Sequence, residues 1–73
     1  MSLDQTVKIM LKKANTSADN GDVLRTYQII EEIRGYHFTE FNKAPNSYLR
    51  KKLKKLEKQA AVVEESLDFN YGN

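Results

Sequence analysis

Apolar residues recur at helical spacing in three stretches of the chain. In residues 2–15, Leu3, Val7, Met10, Leu11 and Ala14 stand at i, i+4, i+7, i+8 and i+11, one stripe of a helix. Ser2 as N-cap with Gln5 three positions on has capping-box spacing. The turn formers at 15–21 (NTSADNG) predict the end of this helix. Asp22 is placed to cap a second helix over residues 23–34, with Val23, Leu24, Tyr27, Ile30 and Ile33 on its inner face. Gly35 follows as a C′ residue of left-handed conformation, with Tyr36 as the apolar residue just after it.

Residues 36–46 predict a short irregular link. Thr39 would cap a single helical turn through Phe41 and Lys43, and Pro45 disfavours helix at Ala44. Asn46 or Ser47 then opens the longest helix, to about Leu67. Its apolar positions Leu49, Leu53, Leu56, Ala60, Val63 and Leu67 are spaced 4, 3, 4, 3, 4. The terminal DFNYGN stretch shows no helical pattern. No β alternation of useful length and no internal repeat is present. The pattern predicts an all-α fold, a small bundle of three main helices plus a short helical turn. Residues 1–68 form its single domain and 69–73 a C-terminal tail.

Composition narrows the chemistry. Seventy-three residues make one domain at most, with a core worth a few kcal/mol (~3–5). The chain has no cysteine, which excludes disulfides and thiolate metal sites. His37 is the single histidine, which argues against a zinc cluster, and neither a metal nor a cofactor is expected. An apolar fraction of 40% with 30% charged residues describes a folding chain rather than a disordered one. No apolar run approaches a membrane span, and the N-terminus lacks a signal-peptide core. An intracellular site, cytoplasm or nucleus, is the expectation.

The net charge of +2 conceals a blocky distribution: +2 over residues 1–15, −3 over 16–42, +6 over 43–58 and −3 over 59–73. Six of the nine residues from Arg50 to Lys58 are basic. On a helical wheel, Arg50, Lys51, Lys54, Lys55 and Lys58 fall within about 140° of one another, opposite the leucines. Lys52 sits nearer the apolar border. Three readings compete. The lysines form a solvated face; or, with Lys8, Lys12 and Lys13, they contact nucleic acid; or they border a groove for an acidic partner segment. Arg50 is the one arginine in the run, so guanine-reading in the major groove is poorly supported. The 4-3 leucine spacing also permits a coiled-coil seam between copies, although packing on the first two helices is the favoured use.

Catalytic constellations are weak. His37 has Glu40, Thr39 and Ser47 nearby in sequence, but no nucleophile elbow or oxyanion loop accompanies them. Glu31 and Glu32 diverge on a helix. The Asp19–Asp22 loop lacks calcium-loop spacing, and glycines at 21, 35 and 72 make no phosphate cradle. No catalysis is expected. The aromatics Tyr27, Tyr36, Phe38, Phe41 and Tyr48 serve either as core plugs or as a groove rim. Phe69 and Tyr71 either dock back or form a free linear motif.

The order of these features resembles the N-terminal domain of transcription elongation factor TFIIS, found also in elongin A, a Mediator subunit and an integrase-binding chromatin factor. Val23, Leu24, Ile30 and Ile33 match that family's second helix. Thr39 and Phe41 match its short helix, and Leu49, Arg50 and Lys51 its basic helix. Ala44, Pro45 and Asn46 replace the family's Ile-Gly turn, and its tryptophan near the last helix is absent. The resemblance covers about residues 3–65. It implies a compact bundle that binds short disordered motifs of transcription-machinery proteins, without catalysis.

The reading is therefore a small non-catalytic interaction module that docks a short acidic and apolar segment of a protein partner. Tyr36, Phe38 and Phe41 would be its apolar anchors, and Arg50, Lys51, Lys54 and Lys55 its cations. The alternative is a helical nucleic-acid binder using Lys8, Lys12, Lys13, Arg50, Lys51, Lys54, Lys55 and Lys58. A further alternative is a subunit that self-associates along the 49–67 seam. No reading involves a membrane.

Overall fold

A computed structural model describes residues 4–42 and 45–71, with side chains described through residue 66. It contains three helices: α1 (Gln5–Asp19), α2 (Val23–Phe41) and α3 (Ser47–Tyr71). No strand occurs among the described residues. The fold is all-α, a small helical bundle.

Each helix buries a seam with one spacing. Val7, Leu11, Ala14 and Ala18 lie on α1; Thr26, Ile30, Ile33 and His37 on α2; Leu49, Leu53, Leu56 and Ala60 on α3. All three run 4, 3, 4, the spacing that keeps one stripe facing the neighbouring helices of a bundle. Ile29 completes the core, with Met10, Tyr27 and Tyr36 packed against its edge. Thr26 is fully buried, and its hydroxyl donates to the Asp22 carbonyl at 2.8 Å, so burial leaves no polar atom unmatched. The seam of α3 from Leu49 to Ala60 is thus covered by the chain's own helices, which removes that part of it as a free dimer face.

The first helix departs from the sequence expectation at both ends. Ser2 and Leu3 lie outside the described residues; the observed cap is Asp4, whose carboxylate accepts from the Thr6 amide at 3.1 Å. At the other end, residues 15–19 remain helical in spite of their turn-forming composition. Ala18 continues the buried seam one turn further, and the Thr16 hydroxyl is absorbed by the Lys12 carbonyl at 3.1 Å. The chain reverses at Gly21 (φ 75°). Its amide donates to the Ala18 carbonyl at 3.1 Å, and the Asp22 amide to Ser17 at 2.9 Å, a Schellman closure.

Asp22 caps α2 as the sequence indicates, accepting from the Arg25 amide at 3.2 Å. The helix does not stop at Gly35. It continues to Phe41, and the separate Thr39-led turn is its last turn. The cause is the seam: stopping at Arg34 would expose His37, which is 9% accessible in the structure. The left-handed C-cap is Asn42 (φ 53°, ψ 37°), whose amide donates to Phe38 at 2.7 Å. Lys43 and Ala44 lie outside the described residues. The inner face also differs, because Leu24 is 70% exposed while Thr26 and Ile29 are buried.

Asn46 caps α3, accepting from the Leu49 amide at 2.9 Å through its side chain and from the Arg50 amide at 2.9 Å through its carbonyl. Val63 is half-buried, its Cγ1 standing 3.9 Å from where a Cβ on Gly21 would lie. The helix runs past Leu67 to Tyr71, so residues 69–71 continue it. The side chains of Leu67, Phe69 and Tyr71 lie outside the described set, as does Gly72.

Candidate functional site

The continuity of α2 decides how the aromatics are distributed. On an unbroken helix, residues two apart project about 200° from one another. Tyr36 and Phe38 therefore leave α2 on opposite sides. The Tyr36 ring packs on the core edge, and its hydroxyl donates to Asp4 Oδ2 at 2.9 Å. A hydrogen bond with Thr6 pulls its phenol downward. The Asp4 hydrogen bond, desolvation and the charges of Asp4 and Glu40 outweigh it and hold the pKa above the ordinary 10.0. Phe41 sets its edge to Tyr36 at 6.5 Å between centroids and stacks obliquely on His37 at 4.9 Å. Tyr36, His37 and Phe41 are thus one packed group, and Phe38 stands apart at 60% exposure. The three proposed anchors do not form one patch.

The basic helix is divided as well. All six cations from Arg50 to Lys58 are exposed, but they serve different surfaces. Arg50 and Lys54 border a groove of about 580 Å³ between α2 and α3, with Arg34, Gly35, Phe38, Thr39 and Pro45. Lys52 and Lys55 face a second groove of about 490 Å³ between α3 and α1, where Lys8 and Lys12 form the other wall. Lys51 sits beside Arg50, Lys54 and Ser47 on the outer side of α3. Lys58 shares that outer arc on the helical wheel. Lys13 turns the other way, toward Arg25 and Ile29 between α1 and α2.

The two grooves differ in chemistry. In the α2–α3 groove, Phe38 and Pro45 supply apolar surface. A Cβ on Gly35 would meet nothing within 4 Å, so this glycine leaves the groove deeper than any other residue would. The charge of Arg34 is already engaged by Glu31 at 3.0 Å and by Glu57. Arg50 and Lys54 make no ion pair with a described carboxylate. In the α1–α3 groove the apolar floor is Leu11 and Leu56, both buried, and the walls are four lysines, Asn15, Gln59 and Tyr48. Lys52 Nζ lies 5.0 Å from the Tyr48 ring centroid, a cation–π contact. Gln59 donates to Asp19 Oδ1 at 3.1 Å, which sets an acidic stop at one end.

The other sequence candidates are occupied structurally. His37 is buried against Phe41, while Thr39, Glu40 and Ser47 are exposed. Asp22 is a cap and Asp19 holds Gln59. Among the described residues no cluster of three His, Asp or Glu side chains is arranged to hold a metal. No described helix is long and apolar enough to cross a membrane.

Sequence reasoning passed over Lys52, Arg34 and Gly35 as site residues, and placed Tyr48 only in a general groove rim. Lys52 carried a signal in its border position on the wheel, since a border residue faces the seam with a neighbouring helix. Gly35 carried one too: a glycine inside a helical pattern needs a reason.

No family model, curated protein or solved structure matches the chain.

Proposed function

We propose that this protein is a non-catalytic interaction module that docks a short acidic and apolar protein segment in the groove between α2 and α3. The observation that carries this reading is Gly35. Glycine in a helix interior costs about 0.8–1 kcal/mol relative to alanine. Here no neighbour excludes a methyl group. The effect of the missing side chain is to keep open the surface beside the exposed Phe38 ring.

Phe38 offers an apolar anchor of the kind that holds helices or turns in grooves. Arg50 and Lys54 on the facing wall favour carboxylates flanking that anchor. The resemblance to the TFIIS N-terminal domain supports the same class of ligand and adds a transcription-machinery setting to the proposal.

The test is a display selection of random short peptides on the whole chain, followed by amide-shift mapping of the enriched sequences. Acidic peptides with one or two large apolar residues should emerge and shift Gly35, Phe38, Arg50 and Lys54. Phe38→Ala should abolish their binding, and Gly35→Ala should weaken it while the protein stays folded. Enriched peptides that map elsewhere, or that are indifferent to both variants, would refute the assignment.

A further inference from the structure

The α1–α3 groove calls for a different ligand. Lys8 and Lys12 stand on one wall, Lys52 and Lys55 on the other. None of the four makes an ion pair with a described carboxylate, and no acidic side chain among the described residues lines the groove. Two neutral amide side chains, Asn15 and Gln59, complete the polar lining, each following the lysines on its own helix. Bringing four ammonium groups together from two helices disfavours the fold through mutual repulsion, and an occupant of opposite charge relieves it.

We propose that this groove binds single-stranded nucleic acid, with backbone phosphates on Lys8, Lys12, Lys52 and Lys55 and a base stacked on Tyr48.

Four features select this occupant. First, the cations are distributed along the groove: Lys8 and Lys12 are about 6 Å apart in rise on α1, and Lys52 and Lys55 about 4.5 Å apart on α3. An extended polyanion matches that arrangement better than a single anion. Second, Leu11 and Leu56 on the floor are already covered, so the exposed apolar surface of the groove is the flat ring of Tyr48 and the lysine stems. Third, Tyr48 is 55% exposed and belongs to the same lining. Its ring face already holds a cation, Lys52. A base displacing that ammonium would gain a stacking platform and release Lys52 to a phosphate, the pairing by which single strands are held without sequence preference. Fourth, the lysines line a concavity between two helices. A thin strand can enter it, whereas a duplex would rest on the outer ridge of Lys51 and Lys58. Lysine acts as a point charge without bidentate geometry, so binding would be sequence-tolerant. Asp19, held by Gln59, ends the track toward the α1–α2 turn and makes the site short.

The experiment is fluorescence anisotropy of the whole chain with a short labelled oligothymidylate, its duplex form and a labelled poly-glutamate peptide, each in a salt series. The single strand should bind more tightly than the duplex. Its log K against log salt should have a slope of about −3, from four contacts at about 0.7 each. Lys8→Gln with Lys52→Gln should halve that slope. Tyr48→Ala should weaken binding about tenfold, in the range of one lost stacking partner. Lys51→Gln with Lys58→Gln, on the outer ridge, should change little. Circular-dichroism melts of each variant establish that the fold persists. The proposal is overturned by absence of oligothymidylate binding at low salt. Equal losses from ridge and groove variants would also overturn it, as would poly-glutamate binding as tightly through the same lysines. That last result would assign the groove to an acidic protein segment. Failure here leaves the Phe38 groove untouched, since its peptides are read out at Gly35 and Phe38.

Discussion

The Tyr36 hydroxyl donates to Asp4 Oδ2 at 2.9 Å, so the residue that caps α1 is tied to a residue just past the glycine of α2. The bond exists because α2 does not end at Gly35. Asp4 thereby holds two donors, the Thr6 amide and the Tyr36 phenol. Tyr36→Phe should lower the urea midpoint of unfolding without changing its slope. The same contact gives an alkaline limb. The folded-state pKa of Tyr36 is raised, so its contribution is complete below the ordinary value of 10.0 and is lost as pH rises through the higher folded value. Stability followed through that range should fall in the wild type more than in Tyr36→Phe. Parallel curves would contradict this.

The two described glycines should respond to alanine with opposite sign. Gly35 is in mid-helix with open space around its missing Cβ. Gly35→Ala should stabilise by about 0.5–1 kcal/mol. Gly21 has φ 75°, and its Cβ would lie at an ordinary 3.9 Å from Val63. The penalty there is purely conformational, about 1–2 kcal/mol. Thermal or urea unfolding of the two single variants gives the comparison directly. Destabilisation by both would mean that α2 is not continuous at Gly35.

The same glycines show what the sequence discloses and what it withholds. A left-handed glycine closing a helix was legible as a motif, but Gly21 and Gly35 both have a helical run behind them. What separates them is whether the buried seam continues. Beyond Gly21 the next seam residue, Thr26, belongs to a new helix. Beyond Gly35 it is His37, four residues after Ile33, and a histidine does not register as apolar. Thr26 was hidden for the same reason, since its hydroxyl is neutralised by a back-bond within its own helix. Leu24 shows the converse, an apolar residue left 70% exposed because its neighbours set the face. The α3 seam, made of leucines alone up to Ala60, was fully legible. The division of the basic face was not, because a wheel of one helix does not show where its neighbours stand.

Leu53 should be far more sensitive to truncation than Leu24. It is wholly inaccessible between the helices. Leu53→Ala should cost about 2–5 kcal/mol, from lost transfer energy and the cavity left behind. In a domain with about 3–5 kcal/mol of net core stability, that approaches complete unfolding. Leu24→Ala should stay within about 0.5 kcal/mol of wild type. A cooperative, little-shifted melt for Leu53→Ala would contradict the core.

Arg34 bridges Glu31 on its own helix and Glu57 on α3. All three side chains are more than a third exposed, so water screens the attraction. Arg34→Gln should therefore cost less than about 1 kcal/mol, and the loss should shrink further at high salt. A salt-independent loss of several kcal/mol would show that the pair is effectively desolvated.

The lysines of α3 should be dispensable for folding and separable in binding. Lys51, Lys54 and Lys55 make no ion pair with a described carboxylate, and Lys51 is three and four residues from the other two. Glutamine keeps helix propensity nearly unchanged. The triple variant Lys51→Gln, Lys54→Gln, Lys55→Gln removes like-charge neighbours worth a few tenths of a kcal/mol each. Its melting temperature should hold or rise. Binding should divide along the groove boundary, because Lys54 lies with Phe38 and Lys55 with Lys8 and Lys12. Lys54→Gln alone should weaken the selected acidic peptides and leave oligothymidylate affinity unchanged. Lys55→Gln alone should do the reverse and lower the salt slope by a little under one, about 0.7. If each single variant weakens both ligands equally, the basic helix acts as one diffuse positive surface and the two grooves are not distinct sites.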